Sequence, residues 1–123
     1  MLPEGLFLLV LLTQNAAGDI NASFVNADTE KACEASLLLT REIFVSRNIT
    51  VLHSSCFVSP LRFTPFTHAV STRVKRYHYY ISTGDDGVEV IGLEDREACR
   101  QRLLNISHPR KGYCATSTQS MLE

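Results

Sequence analysis

The hydrophobic pattern opens with a block and then breaks up. Leu6-Phe7-Leu8-Leu9-Val10-Leu11-Leu12 is an unbroken apolar run. Polar Thr13, Gln14 and Asn15 follow, then the small residues Ala16-Ala17-Gly18. A short apolar core followed by small residues at −3 and −1 is what the secretory machinery and signal peptidase read. The pattern predicts a removable leader over 1–18, cleaved after Gly18, and a single secreted domain over 19–123. A bilayer-spanning helix needs about 20 apolar residues, so this run is too short to be one. A buried core helix is the rival reading, helped by the acidic Glu4 and by the lack of any Lys or Arg before the run.

Past Asp19 the pattern alternates between helical and extended spacing. A helix is predicted near 28–40, capped by Asp28, with Glu30 in its first turn. Ala32, Ala35, Ser36 and Leu39 fall on one side of it. Ile43-Phe44-Val45 and Ile49-Thr50-Val51-Leu52 are rich in β-branched residues and read as extended. Pro60 and Pro65 limit Phe57 to Phe66 to an edge strand or irregular loop. Two β-prone runs flank Gly84-Asp85-Asp86-Gly87, which predicts a hairpin near 73–93. A second helix is predicted near 95–106, with Ala98, Cys99, Arg102, Leu103 and Ile106 on one side, ended by Pro109 and Gly112. These elements make an α+β domain, small and disulfide-bridged, with antiparallel strands. The alternative is an all-β immunoglobulin-like sandwich. Ala32-Cys33 to Leu37-Leu38 echoes Ala98-Cys99 to Leu103-Leu104, and so few matches among common residues read as coincidence rather than duplication.

Cysteine and asparagine patterns point to the same compartment. Cys33, Cys56, Cys99 and Cys114 are even in number, which in an oxidising compartment predicts two disulfides. Three pairings are open; Cys33–Cys56 and Cys99–Cys114 give the shortest loops, each contributing about 3 kcal/mol by chain entropy. No two cysteines have the close spacing of a zinc site. Asn21-Ala22-Ser23, Asn48-Ile49-Thr50 and Asn105-Ile106-Ser107 fit the N-glycosylation sequon. Two of the three are expected to carry glycans. The chain holds 12 basic and 13 acidic residues, and Glu4 is the one charged side chain in the leader. The remainder is neutral, which excludes nucleic acid as a main partner. No second apolar stretch could span a membrane.

One stretch carries most of the candidate chemistry. Arg73, Lys75 and Arg76 fit R-x-K-R, a signal for furin-like convertases, with cleavage after Arg76. The competing reading is a basic strand leading into the hairpin, where charges discourage edge pairing. Arg73, Arg76, Tyr77, Tyr79 and Tyr80 form an aromatic-basic cluster of the kind favoured at protein interfaces. His53, His68, His78 and His108 show no metal spacing. No nucleophile elbow or phosphate-binding loop is present, so no catalytic residue, metal or cofactor is assigned. The sequence implies a secreted glycoprotein that is not an enzyme and acts by binding another protein, as a ligand, soluble receptor-like domain or viral immune modulator. The alternatives are a precursor activated by cleavage after Arg76 and a small secreted hydrolase.

Overall fold

The computed structural model describes residues 6–65 and 75–122. The opening apolar run forms strand β1 (Phe7–Gln14), not a helix. A short apolar run bounded by turn residues is the signature of a strand buried on both faces. Leu8, Leu9, Val10 and Leu12 are fully buried, and Leu11 is 1 % exposed. The turn after it uses Asn15, whose side-chain oxygen accepts from the N–H groups of Ala17 and Asp19 at 3.0 and 2.9 Å. Gly18 closes that turn at φ +88°, where a side chain would be strained. The chain returns as β2 (Ile20–Ala27), antiparallel to β1 with Leu9 opposite Val25.

Thr29, rather than Asp28, caps helix α1 (Glu30–Ser46); its hydroxyl accepts from the Ala32 N–H at 3.0 Å. Cys33 and Leu37 are its buried residues, with Ser36, Thr40 and Phe44 half-buried along the same stripe. The buried face therefore lies away from Ala32, Ala35 and Leu39, which are exposed. Ile43-Phe44-Val45 lies inside the helix rather than in a strand. Their β propensity is weak beside the continuation of a packed helix. Strand β3 (Thr50–Val58) then pairs antiparallel with the other edge of β1, placing Leu9 opposite Cys56.

After Pro60 only a short strand forms, β4 (Arg62–Phe63). The expected hairpin is β5 (Tyr77–Gly84) and β6 (Gly87–Leu93), closed by the Gly84 and Gly87 pair. Helix α2 (Arg96–Leu103) is capped by Asp95, whose carboxylate accepts from the Ala98 N–H at 2.9 Å. Strand β7 (Lys111–Ser117) pairs with β5, and β8 (Met121–Leu122) pairs with β4. At Gly112 the helix lies so close to β7 that an added Cβ would sit 2.6 Å from Leu103 Cδ1.

The main sheet has six strands in the order β3-β1-β2-β7-β5-β6. Helix α1 packs on β1, β2 and β3, and α2 on β5, β6 and β7. The sheet curls until residues of its edge strands β3 and β6 come within 8 Å between Cα atoms. The core on its inner face includes Leu8, Val10, Leu12, Phe24, Tyr79 and Ile81. Phe63 of β4 closes one side, its ring stacked on Phe24 at 3.8 Å between centroids. This is a sheet-dominated α+β domain, and the immunoglobulin-like alternative, which had no place for either helix, is set aside.

The two halves repeat one another, so the Ala-Cys-Leu-Leu echo is structural rather than coincidental. Each runs strand, strand, helix, strand, with the third strand paired to the first. Leu9 faces Val25 and Cys56; Tyr80 faces Ile91 and Cys114. Cys33 follows Val25 by the same number of residues as Cys99 follows Ile91. In both halves the cysteine is the fourth helical residue, three positions after the first. Disulfides Cys33–Cys56 and Cys99–Cys114 tie each helix to its own third strand. Seven common residues could not reveal this, because the evidence lies in register and capping.

The repeat bears on residues 1–18. β1 is the counterpart of β5, and it stands between β2 and β3. Cleavage after Gly18 would remove it whole. A removable leader and this sheet are therefore alternatives for the folded molecule.

Candidate functional site

The aromatic-basic cluster is not one surface. Tyr79 is 2 % exposed and Tyr80 5 %, because strand alternation and flanking layers bury both sides of β5. Tyr79 meets Phe24 and Phe63 edge-on at 5.7 and 5.9 Å, and its hydroxyl donates to the Gln119 carbonyl at 2.7 Å. Burial pushes its phenol up to about 12. Tyr80 lies beneath α2, with the Arg102 guanidinium 6.0 Å from its ring centre. Neither ring can meet a partner. Tyr77 is half-buried under the Lys75 ammonium, 5.0 Å from the ring centroid. Arg73 lies outside the described residues. Lys75 and Arg76 are exposed and precede the first residue of β5.

Two surfaces that the sequence reading missed stand out instead. The first is the outer side of α1. Leu38, Leu39 and Val45 are 66 %, 61 % and 70 % exposed, and Ile43 is 44 % exposed. The signal was present in Leu37-Leu38-Leu39: three successive residues cannot all face inward on a helix. Leu37 takes the core and its neighbours are left outside.

The second is an open cleft of about 640 Å³ between α2 and the β1–β2 turn, floored by β7. Arg76, His78, Arg96 and Arg100 line it, with Asn15, Asn21 and Thr116. β5 brings Arg76 and His78 there by pairing His78 opposite Thr116. Arg96 and Arg100 sit one turn apart on α2. Asp19 accepts from Arg96 at 3.1 Å. The hydrolase reading expected a polar pocket containing histidine, and His78 does line this cleft. Its ring makes no hydrogen bond among the described residues; an activated nucleophile pair calls for such an orienting partner.

His53 lies on the inner face near the rings of Phe57 and Tyr113, at 5.8 and 6.3 Å. Its Nε2 is buried without a hydrogen-bond partner. Burial, then the charge of Lys111, pushes its imidazole below the ordinary value. Among the described residues no group of three His, Cys, Asp or Glu side chains gathers into a metal site. Among the sequons, Asn48 and Asn105 are exposed and outside strands, whereas Asn21 is half-buried within β2. No helix among the described residues is long and apolar enough to cross a membrane. No family model, curated protein or solved structure matches the chain.

Proposed function

We propose that this protein is a protein-binding module of an oxidising, extracellular-type compartment, N-glycosylated at Asn48 and Asn105. The apolar outer side of α1 carries the reading. Leu38 and Val45 recur two turns apart along one stripe, and Leu39 and Ile43 one turn apart along a second, with Glu42 between them; each has the spacing with which a helix enters a partner's apolar groove. Exposed apolar residues gathered on one element mark interaction sites, unlike single scattered ones. Cys33–Cys56 anchors the helix to β3, which lowers the entropy cost of presenting it. The two disulfides support the compartment.

The test is saturable binding of labelled protein to a panel of cell surfaces. Leu38→Glu with Val45→Glu is expected to weaken binding about tenfold or more while the fold is kept, because both sites are exposed. Leu104→Glu is the control; Leu104 is 80 % exposed and caps the C-terminal end of α2, in the other repeat. Equal binding by all three proteins refutes the surface. A concentration-dependent dimer that the α1 variant abolishes would assign the surface to a second copy instead.

A specific observation also supports the precursor reading. The bond after Arg76 lies at the junction of the two repeats, just before β5, so its P1 and P2 side chains, Arg76 and Lys75, are exposed and outside the ladder that begins at Tyr77. Each disulfide stays within its own half. Processed protein is expected to separate into two chains under denaturing conditions without reduction, one ending at Arg76 and one starting at Tyr77. An intact chain from convertase-containing cells, or two chains that part only on reduction, counts against it.

A further inference from the structure

We propose that the cleft between α2 and the β1–β2 turn binds an acidic saccharide, a sugar unit bearing sulfate or carboxylate. The inference is independent of the α1 surface.

Charge comes first. The whole chain has a formal net charge of −1, yet three guanidinium groups and an imidazole converge on this one cleft. They come from distant parts of the sequence, brought together by the pairing of β5 with β7 and the packing of α2 on both. Arg96 and Arg100, one turn apart, repel each other slightly. Among the described residues, only Arg96 is offset, by Asp19. Arg76 and Arg100 have no side-chain acceptor among the described residues. Guanidinium groups match planar and tetrahedral oxyanions through paired N–H donors.

The uncharged polar part of the lining selects the class; Ile20, Leu103, Tyr113 and Ala115 add apolar surface beside it. Asn15, Asn21 and Thr116 offer amide and hydroxyl groups that can both donate and accept. Such groups suit a ligand rich in hydroxyls. An apolar peptide segment would call for the apolar lining found on α1 instead. The space, about 640 Å³, falls within the usual range for small-ligand clefts. Sugar hydroxyls on the amides, with the anionic group between Arg76 and Arg100, would engage the two guanidinium groups that have no side-chain acceptor among the described residues.

Calorimetry on the glycosylated full chain, at about 150 mM salt where remote charge effects are screened, provides the test. The probes are a heparin-derived sulfated tetrasaccharide, a hyaluronan tetrasaccharide, sialyllactose and a hexaglutamate peptide. At least one acidic saccharide is expected to bind, and the peptide is not. The sulfated probe alone would point to a sulfated matrix chain, whereas sialyllactose would point to the terminus of a glycoprotein glycan. Arg76→Ser with Arg100→Ser is expected to weaken binding about 30-fold. Arg41→Ser with Arg47→Ser, on α1 and at its C-cap, should change it less than about twofold. Thermal midpoints of both variants should match the parent, since all four side chains are exposed. Binding of no saccharide, tighter binding of the peptide, or equal losses in the two variants would overturn the proposal.

Discussion

A chain starting at Asp19 is expected to fail to form this domain. It lacks β1, the strand that pairs with both β2 and β3. Those two strands would face each other across roughly 10 Å, twice the normal strand spacing. Five apolar side chains, Leu8 to Leu12, would leave the core. At about 2 kcal/mol each the loss is roughly 10 kcal/mol, comparable with the whole stability of a domain this size. Expressed in an oxidising compartment, the truncated chain should show collapsed near-ultraviolet dichroism, no cooperative urea transition and scrambled disulfides. The chain from Met1 should show both disulfides and one transition. A cooperatively folded protein starting at Asp19, with Cys33–Cys56 and Cys99–Cys114 paired, would instead establish residues 1–18 as a leader. N-terminal sequencing of secreted material provides the same decision in cells.

Gln119→Leu is the second change with a large expected effect. The Gln119 side chain is 1 % exposed and behaves as a piece of backbone. Its Oε1 accepts from the Phe24 N–H at 2.8 Å, and its Nε2 donates to the Phe24 carbonyl at 2.8 Å and the Thr64 carbonyl at 2.6 Å. The seam between the halves otherwise has one ladder pair, Asn21 with Thr116. Leucine fills similar space but strands three backbone groups. Each costs about 1–3 kcal/mol when buried without a partner. The expected loss is about 3 kcal/mol or more, read from the urea midpoint at unchanged slope. Gln101→Leu on the exposed side of α2 should stay within about 0.5 kcal/mol. A loss below about 1 kcal/mol at Gln119 would mean that water takes over its role.

Asn26 makes the same reciprocal pair with Phe63, donating to its carbonyl at 2.9 Å and accepting from its N–H at 3.0 Å. Such pairings were not legible in the sequence. Gln119 stands in the polar stretch Thr116 to Ser120, which carries no local sign of burial. Only tertiary placement turns its amide into a strand mimic. What was legible had local causes: the Gly/Asp hairpin turn, the inner side of α2 at Ala98, Cys99 and Leu103, although the helix stops at Leu103 rather than 106, and the presence of two disulfides, though not which cysteines pair. Other segments had two meanings locally. The run Leu6 to Leu12 and the small residues after it suit a peptidase as well as a buried strand and a tight turn. The tyrosines of β5 suit an interface as well as a core, and the burial of both faces decides for Tyr79 and Tyr80. Of the candidate surfaces, Arg76 and His78 were noticed as part of a strand. Arg96 and Arg100 were not joined to them, because that needs the β5–β7 pairing.

The placement of the disulfides orders how the molecule comes apart in a reductant. Cys33 is fully buried and Cys99 is 1 % exposed, so a reductant reaches each bond through its half-buried strand sulfur, Cys56 or Cys114, or waits for the helix to lift. The waiting times differ. α1 is 17 residues long and α2 only 8, and Cys99 and Cys114 border the open cleft. The second half is therefore the first to lose its clasp, and a ligand seated in the cleft would delay that step while leaving the first half untouched.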